Sequence, residues 1–271
     1  MQRTVRAGAK VTLSLRITGT RADGYHELDA LAVCCDQPYD DITIDTDSLG
    51  VSVEPPGSAP TDATNLASKA LQLLDEHVAI CLKKGIPDQA GLGGGSSDAA
   101  AVLREFGQNR RRDELRMMAA SLGADVPVCF EDRAAKMFGT GEILEFVDLP
   151  SPIFLVLATP NLRCPTPAVY AAFDALSPRQ QIGRDSAPPP LWETFVATFR
   201  NDLEAAAFAV EPRLRAFRDA FETCVGRDSL LCGSGSSYAA WFEIEEAATA
   251  AAATVRSTFN DLRLITSTAC H

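Results

Sequence analysis

Apolar and polar residues alternate without a break over the first part of the chain. Val5, Ala7, Ala9, Val11, Leu13, Leu15 and Ile17 are apolar, while Arg6, Gly8, Lys10, Thr12, Ser14 and Arg16 fill the places between. A period of two predicts a strand with one face on a core and the other free, so Lys10, Thr12 and Ser14 are expected on the free face. Asp23-Gly24 predicts a turn, followed by an apolar segment up to Asp36 and short strands at Ile42–Ile44 and Val51–Val53. The pattern then changes period. Leu66, Ala70, Leu71, Leu74 and Val78 recur at helical spacing and predict a helix from Asn65 to Val78. Ala79–Lys83 reads as a buried strand and Pro87–Ser97 as a Gly-rich loop. Helices are expected at Asp98–Phe106 and from Asp113, as N-cap, to Leu122, with a hairpin at Gly139-Thr140-Gly141.

Pro150-Ser151-Pro152 predicts a change of unit, dividing the chain into 1–151 and 152–271. An apolar strand, Ile153–Ala158, follows. Thr166-Pro167 has N-cap and first-turn chemistry for a helix to Leu176, and the four prolines between Pro178 and Pro190 predict a loop. Leu214, Phe217, Phe221 and Cys224 mark a helical face. Strands at Leu230–Cys232 and Tyr238–Ile244, an Ala-rich helix to Phe259 and a strand at Arg263–Thr266 complete the order. The succession β, α, β, β, α, β suits an α+β sandwich of ferredoxin-like type.

Composition narrows the possible functions. Across 271 residues, 36 acidic against 25 basic side chains leave a formal net charge of −11. That balance argues against generic nucleic-acid binding, yet a local cradle of backbone N–H groups can still hold an anionic small ligand. Met1–Arg6 has no signal-like apolar core, and no apolar stretch approaches the roughly 20 residues of a membrane span. A cytoplasmic location is therefore expected. The eight cysteines are scattered, several within apolar runs, and read as buried thiols rather than disulfides or a zinc site.

The strongest chemical signal is Gly91-Leu92-Gly93-Gly94-Gly95-Ser96-Ser97-Asp98, placed between a strand and a helix. Four glycines in five residues let a backbone approach a ligand closely, and the helix start presents N–H groups and a positive dipole end to an anion. There is no Gly-Lys-Ser/Thr for a Walker loop, and the position is too late for a Rossmann fingerprint. Lys10 and Asp125 are further candidates. Alone, Lys10 reads as an exposed strand lysine, and Asp125, in Leu122-Gly123-Ala124-Asp125-Val126-Pro127, reads equally as a turn residue or a functional carboxylate. Gly233-Ser234-Gly235-Ser236-Ser237 fits either a plain hairpin turn or a second Gly-rich wall of the same cleft.

Taken in order, these segments resemble the GHMP small-molecule kinases over nearly the whole chain. The likeness rests on Ala7-Gly8-Ala9-Lys10, on Gly91 to Asp98, on Leu122 to Pro127, and on Gly233-Ser234-Gly235. Asn201-Asp202-Leu203-Glu204 continues it, and Ala22-Asp23-Gly24-Tyr25-His26-Glu27-Leu28 with Pro165-Thr166-Pro167-Ala168-Val169-Tyr170 narrows it to a branch whose alcohol substrate carries a cytidine diphosphate. The resemblance implies an N-terminal ribosomal-protein-S5-like fold, a C-terminal ferredoxin-like fold and an active site between them, in a monomer or weak dimer. It implies that ATP and Mg²⁺ are used. Asp125 then acts as base and Lys10 as its charge-offsetting neighbour. Gly91, Leu92, Gly93, Gly94, Gly95, Ser96 and Ser97 hold the ATP phosphates, and Asn65 lies near the adenine. Tyr25 and His26 read the cytosine, with Thr166 on the substrate side. Three departures from the family pattern stand out: Thr12 for the usual Asn, Asp88-Gln89-Ala90 before the loop, and Ser236-Ser237 for the usual Pro-Thr. Other members of the family, acting on homoserine, mevalonate or a sugar, and a nucleotide-binding homologue without catalysis are the competing readings.

Overall fold

The computed structural model describes residues 2–149, 152–176, 196 and 198–270. Pro150-Ser151, part of the expected change of unit, and the Pro178–Pro190 segment lie outside the described residues.

Two sheets carry the architecture. In the first, β1 (Gln2–Thr20) and β2 (His26–Asp45) form a long antiparallel ribbon paired from Gln2↔Asp45 to Thr20↔His26. The far edge of β2 is shared. Its first half pairs with β5 (Ala135–Gly139) and its second half with β4 (Ala79–Lys83). β3 (Gly50–Glu54) runs parallel to β4, and β6 (Ile143–Phe146) closes the predicted hairpin with β5. Helices α1 (Leu66–Leu74), α2 (Gly94–Phe106), α3 (Arg112–Leu122) and α4 (Val126–Glu131) share a core with this sheet, built on Ile42, Ile44, Ile80, Leu82, Leu71, Ala99 and Leu103. The N-cap of α3 is Arg111 rather than Asp113, which lies in its first turn beside the positive dipole end.

The second sheet contains β7 (Ile153–Pro160), β9 (Leu230–Leu231), β10 (Tyr238–Phe242) and β11 (Leu262–Cys270). Its spatial order is β11-β7-β10-β9, with every neighbour antiparallel. With α7 (Arg213–Val225) between β7 and β9, and α8 (Glu245–Thr258) between β10 and β11, this is the expected ferredoxin-like βαββαβ sandwich. Added to it are α5 (Thr166–Leu176), α6 (Glu204–Val210) and a short strand, β8 (Arg200–Asn201).

The sheets meet along one seam. Cys270 of β11 pairs with Cys35 of β2, their thiols in contact at 2.6 Å, and β8 lies parallel to β1 at Ser14↔Arg200. All eight cysteines are unpaired thiols.

β1 differs from its expected form in one consequential way. Its register shifts between Gly8 and Lys10 and again between Thr12 and Ser14. Each bulge exchanges the two faces of the strand. Ala7, Leu15 and Ile17 join the helix-covered core, whereas Ala9, Val11 and Leu13 pack into the seam with Leu92, Leu155 and Cys232. The Lys10–Thr12 face is consequently covered: both residues are buried, not free.

Candidate active site

Lys10 is the centre of the site. Its backbone N–H donates to the Leu92 carbonyl at 2.9 Å, tying β1 to the Gly-rich loop. Its side chain is 4% exposed, and Nζ lies 2.8 Å from Asp125 Oδ2 while donating to Thr12 Oγ1 at 3.2 Å. Burial acts to lower the Lys10 pKa, but the Asp125 carboxylate outweighs it and holds the ammonium above its ordinary value. Lys10 is therefore charged at neutral pH. Asp125 occupies the N-cap position of α4, yet makes no side-chain cap bond. Its carboxylate turns to Lys10 instead and stays 35% exposed, open to a ligand.

The Gly-rich loop lies directly below this pair. A Cβ placed on Gly93 would stand 3.3 Å from Lys10 Cε and 4.0 Å from Asp125 Oδ2. Gly93 takes φ +70° and α2 begins at the next residue, four earlier than the pattern predicted. Gly94 and Gly95 are poor helix formers, but Gly94 is pressed against Ile86 and tertiary packing overrides propensity. The first turn of α2 has no side-chain cap and no acidic residue, so its N–H groups face out as an anion site. Ser96 is half-buried; Ser97 is buried and donates to Cys129 Sγ at 3.4 Å.

The second glycine turn joins β9 to β10 and packs against the start of the Gly-rich loop. Gly91 has φ +76°, and a side chain there would collide with the Cys232 carbonyl. Ser237 N–H donates to the Ala90 carbonyl, and Thr166 Oγ1 shares a 2.8 Å hydrogen bond with Ser234 Oγ. Asn201 Nδ2 donates to the Leu231 and Gly233 carbonyls, both at 2.7 Å, and Asp202 Oδ2 accepts from Ile17 N–H on β1. The Asn-Asp pair thus stitches this turn to the strand that carries Lys10.

The departures from the family pattern are accommodated locally. Thr12 supplies an acceptor for Lys10. Asp88 is exposed, and Arg263 donates to its backbone carbonyl at 2.6 Å. Ser236 donates to the Leu162 carbonyl and accepts from Arg263, while Ser237 Oγ meets Thr159 Oγ1 at 2.6 Å.

The remaining candidates fall in two places. Asn65 caps α1: Oδ1 accepts from Ala67 N–H and Ser68 N–H, and Nδ2 donates to the Pro60 carbonyl. The helix it starts borders the loop, with Leu66 Cδ1 3.8 Å from a Cβ on Gly95. Tyr25 lies in the β1–β2 turn and is 66% exposed. His26 packs onto α5, its ring centroid 4.9 Å from Tyr170 and 6.1 Å from Phe173, with Nε2 2.8 Å from Asp174 Oδ1. Burial, with the Asp125 charge as a second cause, pushes the Tyr170 hydroxyl up to about 12. Phe173 and Asp174 were missed in sequence, although their spacing from Tyr170, i+3 and i+4, puts all three on one helical face.

Residues 65–133 match the family description "GHMP kinases N terminal domain". The chain is 37% identical to the 4-diphosphocytidyl-2-C-methyl-D-erythritol kinase of Cereibacter sphaeroides, with 93% of each chain covered. The crystal structure of a 4-(cytidine 5'-diphospho)-2C-methyl-D-erythritol kinase matches at a TM-score of 0.76 and 33% identity, over 100% of this chain and 99% of that one. Homoserine kinase from Cytophaga hutchinsonii shares the fold at a TM-score of 0.65 and 18% identity, over 98% and 93%. The chain belongs to the GHMP kinases and is a small-molecule kinase, a family that takes ATP as its phosphoryl donor. Among the described residues, no helix is long and apolar enough to cross a membrane.

Proposed function

We propose that this protein transfers the γ-phosphoryl of ATP to a hydroxyl of 4-diphosphocytidyl-2-C-methyl-D-erythritol, giving the 2-phospho product and ADP for isoprenoid precursor synthesis. The carrying observation is the 2.8 Å Lys10–Asp125 pair directly above Gly93, at the open N-terminus of α2. The chain acts in the cytoplasm as a monomer or weak dimer, with residues 1–151 and 152–271 as its two domains.

Phosphoryl transfer demands in-line placement and neutralised charge more than covalent chemistry from the protein. The first-turn N–H groups of α2 receive the phosphates of ATP, with its adenine against the α1 end that Asn65 holds. The exposed carboxylate of Asp125 accepts the proton of the attacking hydroxyl. The Lys10 ammonium, kept charged by that same carboxylate, offsets charge on the phosphoryl in transit. The cytosine lies against His26 and Tyr25, with α5 behind them and Thr166 at the margin.

Mg²⁺ fits this donor set. Ser96 offers a hard hydroxyl oxygen of the kind Mg²⁺ takes alongside substrate phosphates, whereas the Ser97 hydroxyl already donates to Cys129 and the Asp125 carboxylate is paired with Lys10. Bound there, the ion would draw charge from the triphosphate.

The test is ADP release with ATP, Mg²⁺ and the diphosphocytidyl alcohol, against parallel reactions with homoserine and mevalonate. ADP formed only with the first alcohol is the expected result. ADP formed with one of the others instead would make the protein a different kinase of the same family.

A further inference from the structure

A buried ion cluster lies against the start of α2, beside Gly94. Lys84 follows β4 and opens the loop, with its side chain 6% exposed between Asp40 of β2 and Asp98 of α2. Nζ donates to Asp98 Oδ2 at 2.5 Å and to Asp40 Oδ2. The other Asp40 oxygen accepts the backbone N–H of Gly85 at 2.7 Å and of Ile86 at 2.8 Å. A Cβ on Gly94 would stand 3.5 Å from Asp40 Oδ2, so the first residue of α2 rests on the same carboxylate. Asp98 Oδ1 is buried and, among the described residues, has no hydrogen-bond partner.

Both ends of the loop are therefore fastened to one point on β2: residues 84–86 from before it and Asp98 from after it. Taking two carboxyl groups and an ammonium out of water is an inefficient way to stabilise a core. Burial pushes the Asp98 carboxyl up to about 7, with Lys84 opposing and Asp40 adding to the rise. An arrangement that costs charge in this place has its value in geometry. The N–H groups of a helix start bind an anion well only when they are held in place beforehand.

We propose that Asp40, Lys84 and Asp98 are positioning residues for the phosphate loop, a clasp that holds the first turn of α2 at a set height against β2. This rests on the reading that the loop holds the phosphates of ATP. Among the described residues no hydrogen bond or ion pair joins the clasp to Lys10 or Asp125, so its loss acts on ATP binding and spares the acceptor.

Two variants test it. Lys84→Met removes the clasp. Asp98→Ala detaches only the helix, leaving the Lys84–Asp40 pair balanced and placing a good helix former in α2. The expected result is a rise of about tenfold in KM for ATP, with saturating kcat within about threefold and acceptor KM unchanged. Affinity for a non-hydrolysable ATP analogue, measured by calorimetry, should fall by the same factor. A lowered Tm with unchanged ATP KM and analogue affinity in Asp98→Ala would make the cluster a plain brace and overturn the proposal, even if Lys84→Met fails to fold. If the wild type binds the analogue but phosphorylates none of the alcohols, the functional reading fails, while the analogue affinities still decide the clasp.

Discussion

The two sides of the proposed cleft are held with different degrees of constraint. On the transfer side, Lys10 is buried, bonded to Asp125 and Thr12 and fastened through its backbone to Leu92. On the recognition side, Tyr25 is largely exposed, and His26 packs against Tyr170 and Phe173 with its ring oriented by Asp174, itself at the surface. Charge that develops for an instant must be met by groups already in place, because reorganising them would add to the barrier. A base that is only bound and released can be gripped by rings that settle on it. Rigidity is spent where the chemistry needs it.

That contrast can be broken from either end. The largest effect is expected at Asp125→Asn, which should lower kcat by about 10²–10⁴ while KM for ATP moves less than about threefold. On the other half, His26→Ala should raise acceptor KM about tenfold and leave saturating kcat within about threefold, read from initial rates at varied acceptor. A collapse of kcat with KM unchanged would place His26 in the chemistry and dissolve the distinction. Gly91→Ala sets a side chain at positive φ against the Cys232 carbonyl; Tm should fall by about 4 °C or more, with ATP binding weakened alongside.

The remaining effect concerns pH rather than a substitution. The Asp98 carboxyl keeps its proton to about 7 when folded but loses it near 3.8 when unfolded. Its contribution to stability is therefore full below 3.8 and fades as pH rises through about 7. Urea unfolding of the wild type across that window should show this decline, and Asp98→Ala should show less of it. An identical slope in the variant would mean that Asp98 titrates normally.

Much of this was legible in the chain. The alternation of β1, the βαββαβ order of the second sheet and the loop from Gly91 to Asp98 follow from periodicity and glycine placement. The bulges in β1 were not legible, because Ala9 and Leu13 carry no mark of being unpaired, and so Lys10 and Thr12 were expected on a free face. The start of α2 was misplaced because Gly94 and Gly95 oppose a helix by propensity and are held in one by Ile86 and Asp40. Lys84 carries no mark in the sequence, since its partner Asp40 lies 44 residues away. The short α4 and α6 are held by their neighbours more than by their own sequences. Asp125 could be read as a turn residue or a functional one until its carboxylate was found on Lys10 rather than on its own helix.

The account stands most directly on Lys10 and Asp125 acting as one unit. A double-mutant cycle of Lys10→Met, Asp125→Asn and the combined variant, read as kcat at saturating substrates, tests this. Groups that work as a unit give non-additive losses. The predicted result is a double variant about as slow as the slower single one. Losses that multiply would show two independent contributions and contradict the account.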